Sequence, residues 1–175
     1  MNIYLIGYRC TGKTTVGRWV AEQLGWAFVD SDEQIVRTHG MTILHIVAAQ
    51  GWEGFREKEK RVMERICIAD RCVIGTGGGV VIDPDNVSRM QNTGVVFWLK
   101  ASPETIRQRM KKDHGGPLRP SLTSTGTDRE VEEVLALREP LYRRAAEFEI
   151  ETDGLRPEAV GKQITEHIRK RKKRK

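Results

Sequence analysis

The segment Gly7-x-x-x-x-Gly12-Lys13-Thr14, within "GYRCTGKTT", has the residue types and spacing of a phosphate-binding loop. It follows the apolar run "NIYLIG" and precedes a helix-like stretch from Lys13 to Leu24, the strand-then-helix setting that such a loop requires. There, successive backbone N–H groups and a helix N-terminus meet the phosphates of a nucleotide. Lys13 supplies a point charge at the β- and γ-phosphates, and the Thr14 hydroxyl is suited to Mg²⁺. A second constellation is "VDSD", where Asp30 and Asp32 stand two apart at the end of an apolar run. On a strand that spacing points both carboxylates to one face, at the strand end where parallel sheets bind ligands. One carboxylate could orient Mg²⁺ through water and the other could accept a proton from an attacking hydroxyl. The same pair also fits a capped turn ahead of a helix.

"GTGGGVV" from Gly75 to Val81 places three consecutive glycines after a third apolar run. Glycines let backbone approach a ligand closely. Arg56 in "GWEGFREKEK", Arg138 in "ALREPLYRR" and Arg119 in the proline-flanked "GPLRPSL" are candidates for anion binding. A guanidinium fork suits a carboxylate, and a loop arginine suits developing phosphoryl charge. Spacing does not choose between these uses.

The elements that must position these residues alternate between strand and helix, the pattern of a parallel α/β sheet. Strands are expected at "NIYLIG", "WAFVD", "CVIGTG", "VVFWLK" and "FEIE". Helical pieces are expected at 13–24, 33–38, 43–49 and 53–69, from Ser102, over 128–146 and from Pro157. "SPET" opens its helix with a Ser cap and Pro in the first turn. Residues 112–127 are rich in Gly, Pro, Ser and Thr and read as a mobile loop. Trp19, Trp26 and Trp98 fall in core elements, and His39, His45, His114 and His167 show no metal-ligand pairing.

At 175 residues, the length is that of one domain, and 38% hydrophobic with 31% charged residues suits a soluble enzyme. No run has the ~18 apolar residues of a membrane span, and the N-terminus lacks signal-peptide features. A cytoplasmic location and no membrane partner are expected. Cys10, Cys67 and Cys72 read as reduced thiols. The net charge of +6 belongs to "RKRKKRK" at 169–175. Without it, 23 basic residues face 24 acidic ones. Such a run is a solvated, frayed tail, and no nucleic-acid partner is expected.

Taken together and in order, "GYRCTGKTTVGR", "FVDSD", "GFRE", "GTGGG", "PLRP" and "LREPLYRRAA" resemble the shikimate kinase family over nearly the whole chain. The resemblance implies a P-loop three-layer α/β sandwich of the nucleoside-monophosphate-kinase kind. Its five-stranded parallel sheet would be flanked by helices, with a substrate-binding helical region at about 32–61 and a lid at about 112–127. A single domain would span 1–168. ATP phosphates would lie on Cys10, Thr11, Gly12, Lys13, Thr14 and Thr15, with Thr14 ligating Mg²⁺ and Asp30 reaching it through water. Asp32 would bind the hydroxyls of shikimate and is the candidate base at the 3-hydroxyl. Arg56 and Arg138 would clamp the carboxylate, Gly78 would offer a backbone N–H, and Arg119 would cover ATP.

Lys13, Asp32 and Arg119 would then carry catalysis, with products ADP and 3-phosphoshikimate on the route to chorismate. A monomer is expected. Two departures stand out: Cys10 replaces a common Gly, putting an alkylatable thiol near the phosphates, and Leu155 aligns where some relatives place an arginine near the adenine. Rival readings are a kinase of another polyol acid such as gluconate or of a nucleoside monophosphate, a nucleic-acid-stimulated ATPase, and a non-catalytic ATP-binding module.

Overall fold

The computed structural model describes residues 1–112, 122 and 127–172. Five strands form one parallel sheet: β1 (Asn2–Ile6), β2 (Ala27–Asp30), β3 (Cys72–Gly75), β4 (Gly94–Lys100) and β5 (Phe148–Glu151), in the spatial order β2-β3-β1-β4-β5. All of β1 is buried, as its central place requires. Its residues alternate between two cores, because successive side chains point to opposite faces. Ile3 and Leu5 join Val73, Phe97 and Leu99 beneath helices α1 (Lys13–Leu24) and α7 (Pro157–Lys172). Tyr4 and Ile6 join Ile74, Val96 and Trp98 on the other face, packed by Met63, Met90 and Tyr142. These come from α3 (Ile43–Ile66), α4 (Pro84–Thr93) and α6 (Thr127–Ala145). The three-layer α/β architecture is the expected one.

The remaining helices are α2 (Ser31–His39) and α5 (Pro103–Lys112), with a 3₁₀ turn at Val80–Ile82. The two helical pieces expected at 43–49 and 53–69 are joined in α3, where Gly51 interrupts the helix with φ 68° and ψ −179°. Helix α4 has no counterpart in the sequence reading. Its side chains offer few apolar residues, but its start has Asp83 capping the Asp85 N–H and Pro84 in the first turn, the signal that marks α5.

The described part of the basic run, residues 169–172, is helical where a frayed tail was expected. Residues 169–172 continue α7, since Val160, Ile164 and Ile168 bury one helix face against the sheet. Basic residues suit a helix C-terminus, where the backbone dipole is negative, and Arg171 pairs with Glu147. The expected lid, apart from residues 112, 122 and 127, and Arg119 lie outside the described residues.

The carboxyl end of β1 runs straight into the Gly7–Gly12 loop. Gly7 has φ 138°, and a Cβ there would stand 2.4 Å from the Leu99 carbonyl oxygen at the end of β4. Gly7→Ala should therefore lower the unfolding free energy by about 2 kcal/mol or more in urea denaturation, since neither backbone conformation nor space accommodates it.

Candidate active site

The phosphate loop is built by three residues in left-handed conformations: Gly7 (φ 138°), Cys10 (φ 60°) and Gly12 (φ 94°). Cys10 thus reaches the loop shape despite its side chain. Lys13 is buried, and its ammonium donates to the carbonyls of Gly7 (2.8 Å) and Tyr8 (2.6 Å). The Thr11 hydroxyl donates to the Tyr8 carbonyl at 2.9 Å. Helix α1 opens with Gly12, no side-chain cap and no acidic residue in its first turn. Its first N–H groups are thereby left to an anion in front of them.

The loop stands between two clefts. One, of about 800 Å³, is lined by Cys10, Thr11, Gly12 and Thr15, and beyond them by Arg109 and Leu155. Arg109 comes from α5 and donates to the Cys10 carbonyl (3.2 Å), the Thr152 hydroxyl (3.1 Å) and the Thr152 carbonyl (2.8 Å). It ties the loop to the β5–α7 turn, and Leu155 closes the same wall. The other cleft, of about 460 Å³, is lined by Tyr8 and Arg9 from the loop, and by Asp32, Arg56, Gly78 and Arg138. The four residues expected to bind a small acidic alcohol are therefore together, facing the phosphate loop.

Asp30 and Asp32 reach their places differently from the same-face strand pair expected. Asp30 ends β2 and caps α2, its Oδ1 accepting the N–H groups of Asp32 (3.0 Å) and Glu33 (3.3 Å). Asp32 lies in the first turn of that helix, so the helical backbone turns its carboxylate away from Asp30 and into the small cleft. The other Asp30 oxygen, Oδ2, accepts from the Thr14 hydroxyl at 3.0 Å. Capping and cation chemistry are thus compatible in one residue. The donor set fits Mg²⁺, which keeps most of its water and takes one or two protein oxygens plus phosphate. Among the described residues no group of three or more His, Cys, Asp or Glu could hold a metal by itself.

Three consecutive glycines, Gly77 to Gly79, follow β3 for three separate reasons. A Cβ at Gly77 would meet the carboxylates of Asp32 (2.6 Å) and Glu59 (2.9 Å), and one at Gly79 would stand 2.1 Å from the Arg56 guanidinium. One at Gly78 would press on the Gly7 carbonyl and the backbone of Tyr8 and Arg9 at 3.3–3.6 Å. The glycines make way for the site's own side chains and for the loop. The Gly78 carbonyl accepts from Arg138 Nη1 (3.2 Å) and from the Tyr142 hydroxyl.

Glu59 holds Arg56. One helical turn along, its Oε2 accepts from Arg56 Nη1 at 2.6 Å, and the Glu59 side chain is only 1% exposed. The guanidinium also lies 5.1 Å from the Phe55 ring centroid and 5.5 Å from that of Trp52, within cation–π reach. Sequence reasoning missed Glu59, Trp52, Arg9 and Arg109. The Arg56–Glu59 spacing of three was a usable signal, although "REKEKR" offers several such pairs. Arg109 had none, because its partners are 43 and 99 residues away.

The family model for shikimate kinase matches residues 9–169. The chain belongs to the shikimate kinase family. It is 43% identical over 174 residues to a shikimate kinase of Caldicellulosiruptor saccharolyticus, covering 99% of each protein. It is 42% identical to one of Thermodesulfovibrio yellowstonii, covering 93% of this chain and 92% of that one. A solved structure of the family, shikimate kinase from Acinetobacter baumannii in complex with shikimate, is similar with a TM-score of 0.91 at 36% identity. That likeness covers 98% of this chain and 94% of the other.

Burial pushes the Glu59 carboxyl up from an ordinary 4.5 to about 7, with the Arg56 guanidinium pulling it down and Asp32 adding to the rise. The folded state then binds a proton that the unfolded chain has released, so this group's contribution to stability falls as pH rises from 4.5 to about 7. Urea unfolding across that window should show a downward slope that Glu59→Gln reduces. An undiminished slope in the variant would assign it to another group.

Proposed function

We propose that the chain transfers the γ-phosphoryl group of ATP to the 3-hydroxyl of shikimate, giving ADP and 3-phosphoshikimate on the route to chorismate and the aromatic amino acids. The observation that carries this reading is the small cleft across the phosphate loop, whose lining brings Asp32 together with the guanidinium groups of Arg9, Arg56 and Arg138, a set that suits a short hydroxylated acid. Family membership and the shikimate-bound relative support it.

In this reading ATP lies in the larger cleft, its phosphates on the N–H groups of residues 10–15 and its base against Arg109 and Leu155. Arg56 and Arg138 take the shikimate carboxylate, and the Gly78 N–H adds to that grip. Asp32 orients the 3-hydroxyl and accepts its proton. Lys13 is held by two loop carbonyls beside the place proposed for the β- and γ-phosphates, so its charge is positioned in advance where negative charge develops. Thr14, and Asp30 through water, would hold Mg²⁺, which would neutralise phosphate charge there. Arg119 is proposed to cover the nucleotide. The acceptor region is α2 with the first part of α3, within one domain, and we read the enzyme as a cytoplasmic monomer. Most of its rate enhancement comes from alignment of the hydroxyl with the phosphorus.

ADP release should depend on shikimate and be indifferent to gluconate and to polynucleotide. Arg138→Ala should raise the KM for shikimate about ten- to a hundredfold while leaving the KM for ATP nearly constant, as expected for losing one charge-assisted fork. Shikimate-independent ADP release at the full rate would reject the reading.

A further inference from the structure

Glu130 lies outside both groups of residues described above, yet it is 1% exposed. Its oxygens are divided between two elements. Oε1 pairs with Arg9 Nη2 of the phosphate loop, and Oε2 accepts the Leu122 backbone N–H at 2.9 Å. Both Arg9 and Leu122 line the small cleft. The Arg9 side chain is itself only 13% exposed, so both charges of this pair are largely removed from water. A buried pair of this kind tolerates the loss of one partner poorly, because the other is left charged and unmatched.

The placement of Glu130 on α6 gives the pair a wider reach. Glu130, Val134, Arg138 and Tyr142 recur every four residues and so share one helix face. Arg138 and Tyr142 hold the Gly78 carbonyl, and Val134 packs with Tyr8, Ile106 and Leu122. The helix is therefore fixed to the site at both ends of this stripe. Glu130 fixes the end nearer the phosphate loop.

We propose that Glu130 is a positioning residue for the acceptor, setting the Arg9 guanidinium and the Leu122 backbone side by side in the lining of the shikimate cleft and keeping α6, with Arg138, in register with the phosphate loop. This rests on the shikimate kinase reading above. It requires Glu130 to act on acceptor binding without touching the acceptor itself.

The test is steady-state kinetics of the full chain and of Glu130→Gln, Arg9→Gln and the double variant, varying shikimate and ATP separately. Glu130→Gln should raise the KM for shikimate about tenfold and change the KM for ATP less than about threefold, and the double variant should be little worse than either single one. A purely structural role would lower the melting temperature and leave the shikimate KM of the folded enzyme unchanged, which overturns the proposal. So would strictly additive effects of the two substitutions. If Glu130→Gln does not fold, Arg9→Lys carries the test, because lysine keeps the charge but loses the fork. A raised shikimate KM supports the pairing, and an unchanged one overturns it. Wild-type protein inactive on shikimate would overturn the function along with this proposal, whereas an active wild type with an unaffected Glu130→Gln overturns the proposal alone.

Discussion

Everything in this site depends on how closely the phosphate loop can approach the turn after β3. The two segments leave neighbouring strands in the same direction, and Thr76 locks them together by donating both its N–H (3.1 Å) and its hydroxyl (3.0 Å) to the Leu5 carbonyl. Beyond that clamp, Gly78 lies against the backbone of Gly7 to Arg9 with no room to spare. The nucleotide side of the site is built on the first segment, and the second brings Gly77, Gly78 and Gly79 to the acceptor side. A side chain at 78 would separate them by a few tenths of an ångström. Phosphoryl transfer needs its reacting atoms about 3–3.5 Å apart, so a shift of that size between the two segments bears directly on the chemistry.

Both substrates in the proposed reaction are anions, and the site meets them with cations that are already held. Lys13 is fixed by two carbonyls, Arg56 by Glu59, Arg138 by the Gly78 carbonyl and Arg9 by Glu130. Long basic side chains lose about 2 kcal/mol of rotamer freedom when they are ordered. Here folding has ordered them before a ligand arrives, which lowers the cost of binding and of reaching the transition state. The two nearly buried carboxylates, Glu59 and Glu130, also keep the cleft from accumulating an uncompensated positive charge.

Much of this was legible in the residues, and the reasons for the gaps are physical. The phosphate loop, α1 and β5 follow from local pattern, and α1 and β5 begin and end where the pattern placed them. Asp32, Arg56, Gly78 and Arg138 converge as the family resemblance implied, although nothing in their spacing alone brings residues 32 and 138 together. Helix α4 went unseen because its apolar face is small, Val87 and Met90 carrying most of it, although Asp83 and Pro84 announced its start. Residues 169–172 are helical where a frayed tail was expected, because charge composition says nothing of a buried stripe one turn earlier. Glu59, Arg109 and Glu130 act through tertiary partners, and a carboxylate in a charged helix looks like a solvated one until its neighbours are known.

The shape of the acceptor cleft also bears on which acid it takes. Its lining mixes polar groups, among them Asp32, Arg56, Gly78 and Arg138, with the apolar side chains of Ile43, Trp52, Phe55 and Leu122. Shikimate is a compact ring with one carboxylate, three hydroxyls on neighbouring carbons and an unsaturated hydrocarbon edge. It can turn its oxygens to the polar groups and its hydrocarbon edge to the apolar side chains. Gluconate carries a hydroxyl on every carbon of an open chain except the carboxylate, so it would press some of them against Trp52 and Phe55 without partners. Each hydroxyl buried in that way costs about 1–3 kcal/mol, and ordering the flexible chain adds further cost. Under the proposed reaction the aromatic side chains would disfavour a polyol acid, so that Trp52 and Phe55 would add to the discrimination made by the charged residues.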